Sequence, residues 1–129
     1  MKKLFLVFAT LFLYAVTVNA AEPENIKIAV ASDGRTAESS VSSEAAKCPY
    51  YLIFDGKGKL IQVIENRYRD TRRGAGPLAA AFLSEMGVTV AVAESFGSKM
   101  IDTLKNKGIT HIQFKGTAAD AAKRVLNGR

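Results

Sequence analysis

The chain has 129 residues with 18 Lys and Arg against 12 Asp and Glu, a formal charge of +6, one cysteine and no tryptophan. Its length leaves room for one hydrophobic core, and a lone cysteine excludes an internal disulfide framework. The positive charge is too mild to argue for nucleic acid as the partner.

Residues 1–20 read as a secretory signal. Lys2 and Lys3 precede an apolar run from Leu4 to Val18, which is short for a membrane span, and Val18 and Ala20 offer the small residues that a signal peptidase reads. Glu22, Pro23 and Glu24 follow at once, without a stop-transfer pattern. The expectation is cleavage after Ala20, a mature domain over 21–129, a periplasmic or secreted location and no membrane association after cleavage. Removing Lys2 and Lys3 leaves 16 basic against 12 acidic residues, so the formal charge drops to +4.

Ile26 to Ala31 alternates around Lys27 and runs into Ser32-Asp33-Gly34, predicting a first strand and a turn. The Ser-, Ala- and Thr-rich stretch 35–47 has no clean period and reads as a loop. Tyr50 to Asp55 and Leu60 to Glu65 are two further strands, joined through Gly56-Lys57-Gly58 as a hairpin.

A polar, basic segment from Asn66 to Arg73 then meets Gly74-Ala75-Gly76-Pro77, where Pro77 suits the first position of a helix reaching about Met86. Leu78, Phe82 and Met86, flanked by Leu83, form its apolar stripe, and Gly87 stops it. Strand Val88 to Ala93, a helix from about Ser98 to Lys107 ended by Gly108, and strand Ile109 to Phe114 follow. Strand, helix, strand implies parallel pairing through right-handed crossovers. A third helix starts at Thr117, with Asp120 placed to help cap it, and reaches about Leu126. The expected fold is α/β: a mixed five-stranded sheet, antiparallel hairpin first and parallel units later, with three helices.

Two features carry candidate chemistry. Arg67, Arg69, Arg72 and Arg73 lead directly into the amides of Gly74, Ala75 and Gly76 at a helix start, which suits an anion; a solvated loop with an ordinary helix start is the simpler reading of the same residues. Cys48, beside Lys47 at a strand entrance, is the candidate metal ligand, since a nearby cation favours the thiolate; a small buried packing residue is the alternative. His111, Met86 and Met100 stand at no recognised ligand spacing, and His111 reads as a structural imidazole. Asp55, Glu65, Glu94, Asp102 and Asp120 are scattered, so no catalytic set is expected and the chain does not read as an enzyme.

The stretches IKIAVASDG (Ile26 to Gly34), VSSEAAKCPYYLIFD (Val41 to Asp55), EN (Glu65 and Asn66), GAGPLAA (Gly74 to Ala80) and AVAESFG (Ala91 to Gly97) fall in one family's order and spacing. The chain resembles the dinitrogenase iron-molybdenum cofactor biosynthesis (NifX/NifB-type) family. That resemblance implies a ribonuclease H-like fold and a carrier role for an iron-sulfur or molybdenum-containing cluster. Cys48, Arg72, Arg73, Gly74, Ala75 and Gly76 would contact the cofactor. Glu44, Ala45, Ala46 and Lys47 stand where the family often has histidine, phenylalanine, glycine and arginine, and Glu94 and Ser95 where glycine and asparagine are commoner. A metal-dependent nuclease on such a fold needs an acid inside the first strand, and Ile28 to Ala31 supply none. The expectation is a binding or carrier domain for an anionic cofactor or small ligand. The alternative is a protein-interaction module that has lost the cofactor.

Overall fold

A computed structural model describes residues 25–128, so the expected signal segment and its cleavage point lie outside the described residues. Among the described residues no helix is long and apolar enough to cross a membrane. The elements are β1 (Ile28–Ser32), β2 (Tyr50–Phe54), β3 (Leu60–Glu65), α1 (Ala75–Glu85), β4 (Val90–Ala93), α2 (Ser98–Asn106), β5 (Thr110–Gln113) and α3 (Ala118–Asn127). They form one sheet in the order β3-β2-β1-β4-β5. The pairs β1/β2 and β2/β3 are antiparallel, and β1/β4 and β4/β5 are parallel.

The alternation of small and branched residues in β1 (IAVAS) and β4 (VAVA) decides which layer goes on which face. Ala29, Ala31, Ala91 and Ala93 point to one side and meet the bulky Leu83 of α1 and Met100 and Leu104 of α2. Ile28, Val30 and Val92 point to the other side, where α3 presents only Ala118, Ala121, Ala122 and Val125 at its buried stripe. Small residues thus face large ones on both sides, which lets two layers of helix close on the sheet at native density. Every residue of β1 is buried, as expected for a central strand covered on both faces.

Element ends differ from expectation by at most two residues. Helix α1 begins at Ala75, so Pro77 is its third residue rather than its first. The amides of a first helical turn lack intrahelical acceptors, so a proline there breaks no bond. Val88 and Thr89 are not part of β4: the amide of Val88 donates to the Leu83 carbonyl at 3.1 Å and that of Thr89 to Lys27 at 2.8 Å, which closes α1 before the strand begins. Gly87, at φ 80°, supplies the left-handed turn this closure requires. At α3 the Thr117 hydroxyl accepts from the Asp120 amide at 3.1 Å, the expected cap.

The loop between β1 and β2 is pinned rather than loose. The Ser42 amide donates to the Ala31 carbonyl at 2.7 Å, Ala45 to Ser95 at 3.0 Å, and Glu94 to Ser42 at 3.0 Å. Val41 and Ala45 are buried. These bonds bring the loop to the carboxyl ends of β1 and β4, where open α/β sheets present their ligand sites.

Candidate functional site

At that end of the sheet lies a cleft of about 470 Å³, walled by the 44–47 turn, Arg72, the start of α1 and the start of α2. Both helices begin there without a side-chain cap, after Gly74 in one case and Gly97 in the other. The first intrahelical bonds run from Leu78 to Gly74 at 3.2 Å and from Ile101 to Gly97 at 3.0 Å. The amides of Ala75 and Gly76 in α1, and of Ser98, Lys99 and Met100 in α2, therefore lack helical acceptors. Two positive helix ends open on one cavity, neither carrying an acid in its first turn.

Gly74 adopts φ 77°, a conformation that suits glycine, and turns the basic loop into α1. Gly76 has another task. A Cβ there would lie 2.8 Å from the Met100 Cβ, so its bare backbone is what lets the starts of α1 and α2 approach so closely.

Lys47, Arg72 and Lys99 add cationic groups to the wall, against the one carboxylate of Glu44. Among the described residues the sole ion pair joins Arg35 to Glu65 at 3.9 Å, so no carboxylate neutralises those three cations. Lys47 Nζ donates to the Thr71 carbonyl at 2.5 Å and ties the 44–47 turn to the basic loop.

A buried brace lies behind this wall. Asn66, 4 % exposed, donates through Nδ2 to the carbonyls of Ala46 at 2.8 Å and Cys48 at 2.9 Å. Its Oδ1 accepts from the Tyr68 amide at 3.0 Å. The Tyr51 hydroxyl donates to the Ala45 carbonyl at 2.6 Å. One asparagine thereby fixes the turn on one wall and starts the loop that delivers Arg72 to the other.

Of the residues singled out in the sequence, Arg72, Gly74, Ala75 and Gly76 line the cleft. Arg73 is exposed and lies outside its wall, and Arg67 and Arg69 border a separate groove with Pro49 and Tyr50. Cys48 takes the packing place that the sequence offered as the alternative to a ligand. It is 0 % exposed, absent from the cleft wall, and its thiol donates to the Ala45 carbonyl at 3.6 Å. Burial pushes its pKa from 9.0 up to about 11, opposite to the thiolate expected beside Lys47. Lys47 points instead to Thr71. His111 stacks edge-on against Phe96 at 5.2 Å, behind the cleft wall. Among the described residues no group of three His, Cys, Asp or Glu could hold a metal ion.

The helix expected from about Ser98 begins where the structure has it, but the sequence did not single out its start as part of an anion site. Gly97-Ser98-Lys99 carries the same signal as Gly74-Ala75-Gly76: a glycine, then a helix without a first-turn acid. Sequence reasoning also passed over Asn66 as part of the wall, because that role rests on contacts about twenty residues apart.

The donor set consists of amides, ammonium and guanidinium groups. It suits an anion that brings its own metal ligands and does not suit a bare metal cation.

Known proteins share this architecture. A structure of the apo form of the orange protein from Desulfovibrio gigas superposes with a TM-score of 0.74 at 25% identity, covering 79% of this chain and 88% of that one. A Thermotoga protein named for NifB gives 0.69 at 30% identity, covering 81% and 90%. An uncharacterized protein of Methanocaldococcus jannaschii is 27% identical over 93 residues, 69% of this chain and 79% of its own length. The family model of the dinitrogenase iron-molybdenum cofactor matches residues 24–128, and the chain belongs to that family.

Proposed function

We propose that the protein is a carrier that holds an anionic, metal-containing cofactor, or a related small anion, in the cleft between the starts of α1 and α2. One observation carries this reading: two uncapped helix N-termini and three cations without carboxylate partners line one cavity. Family membership supports it. The amides of Ala75, Gly76, Ser98 and Lys99 would receive the anion's outer atoms, with Lys47, Arg72 and Lys99 balancing its charge.

A cofactor held this way keeps its metals within its own ligand set, because the cleft offers no thiolate or imidazole. An iron-sulfur or molybdenum-sulfur cluster fits that description, since its sulfides present negative charge outward. Cys48 is no part of the contact set in this reading, and Arg73 serves the approach of the anion rather than its seat.

The carrier works outside the cytoplasm, as a periplasmic or secreted protein cut after Ala20. A second reading, a protein-interaction module without a cofactor, draws on Glu44, which lines the cleft at a position where the family resemblance implies histidine. Elemental analysis of protein purified anaerobically from its native compartment separates the two. Molybdenum, iron or copper retained with an optical spectrum supports the carrier. Metal-free protein that takes up no metal-sulfide anion supports the module.

A further inference from the structure

Next to the cleft, the basic loop and the outer side of α1 form a second surface. Leu78 is 46 % exposed, an uncommon position for a large apolar side chain on this molecule. One helical turn further along the same face is Phe82, half-buried, with the Tyr68 ring edge-on at 6.1 Å and the Arg67 guanidinium over it at 5.5 Å. Arg67 and Arg69 also wall the groove of about 360 Å³ that runs past Pro49, Tyr50 and Glu65, the last of these paired with Arg35.

Arg67 lies over this apolar centre, and Arg69, Arg72 and Arg73 of the same loop are exposed, with the one acid Asp70 among them; none of the four arginines has a carboxylate within ion-pair distance among the described residues. Apolar and aromatic groups rimmed by arginine are what the centres of protein interfaces are made of. Stacking on Phe82 already orders the Arg67 side chain, which lowers the entropy lost when a carboxylate meets it.

We propose that this face docks an acidic protein, seating an apolar side chain on Leu78 and Phe82 and carboxylates on the four arginines. A second copy of the chain is a poor occupant, because two faces of the same sign repel. A phosphate polymer would leave Leu78 and Phe82 without a role. Arg72 belongs both to this rim and to the cleft wall, so a docked partner borders the cleft. That partner is then the donor or acceptor of the cargo, a point that rests on the carrier reading.

The test uses the full chain in its own host cell, with a photo-crosslinking amino acid at Leu78 and, as control, at Ile61, which is 47 % exposed at the far end of β3. The expected result is a net-negative protein crosslinked from Leu78 and not from Ile61. Purified, that pair should bind more weakly as salt rises and lose about tenfold or more in affinity in an Arg67→Glu, Arg69→Glu variant whose circular dichroism is unchanged. Crosslinks only to a second copy, phospholipid or nucleic acid, no product at all, or binding that neither salt nor charge reversal moves would overturn the proposal. Neither Arg67 nor Arg69 lines the cleft, so anion uptake by this variant should match wild type. If the wild type takes up no anion, the carrier reading fails while docking still stands or falls on the crosslink.

Discussion

At residue scale, Cys48 and Asn66 show how burial changes what a side chain can do. The Cys48 thiol, raised from 9.0 to about 11 by burial, should resist alkylation by iodoacetamide at pH 8 in the native protein and react at once in urea. Rapid native labelling would contradict the buried placement. Because the folded pKa lies above the unfolded one, the native chain binds more protons between those values, and stability falls as pH rises through that window. The loss assigned to Cys48 is on the order of 2–3 kcal/mol between pH ~9 and ~11. Tyr51, whose hydroxyl burial pushes upward as well, adds to the same alkaline weakening. Urea midpoints at pH 8 and pH 10.5 check this: the decline should be shallower in Cys48→Ala than in wild type. Asn66→Asp removes both donors to the Ala46 and Cys48 carbonyls and sets a carboxylate against them. We expect a loss of about 2–4 kcal/mol in urea unfolding and weaker anion binding as the 44–47 turn loosens. Unchanged unfolding and binding would show that Asn66 does not brace the wall.

At element scale, the two helix starts depend on glycines that act differently. Gly76→Ala puts a Cβ 2.8 Å from that of Met100, so α1 and α2 must part at the cleft. Overpacking of this kind costs about 1–3 kcal/mol, and the widened cleft should hold its anion less tightly. At Gly74 nothing lies within 4 Å of where a methyl group would sit, so Gly74→Ala meets only the cost of its positive φ, about 1 kcal/mol. Guanidinium unfolding of both variants gives the comparison, and equal losses would mean the helices do not touch at Gly76 as described. Much of this layer was legible in the sequence. The alternation around Lys27 named β1, the apolar run from Val88 to Ala93 named β4, glycines at 87 and 108 ended two helices, and Thr117 capped a third. For Cys48 the sequence offered both a ligand and a buried packing residue and could not choose, because the 42–48 loop is held by bonds to the Ala31 and Ser95 carbonyls and from the Asn66 amide, which no local pattern encodes. Half of the cleft was read from Gly74 to Gly76. The other half begins at Gly97, and only the fold brings it opposite.

At the scale of the whole molecule, the carboxyl ends of the parallel strands gather positive charge while α3 covers the opposite face with alanine. Lys47, Arg72 and Lys99 reach the cleft from three separate segments of chain, so the site exists only when the sheet has assembled. Charge reversal at one of them, Lys99→Glu, should weaken anion binding by about tenfold or more and reduce its dependence on salt, with little change in melting temperature. The proposed carrier role rests on that pocket of amides and cations, not on the chain's cysteine.

Uptake of tetrathiomolybdate by the purified protein, followed by its optical spectrum and by molybdenum retained after desalting, tests that claim most directly. Wild type and Cys48→Ser should bind it alike, while an Arg72→Ala, Lys99→Ala variant should bind about tenfold or more weakly. Absence of uptake by wild type, or uptake abolished by Cys48→Ser and unaffected in the double variant, would contradict it.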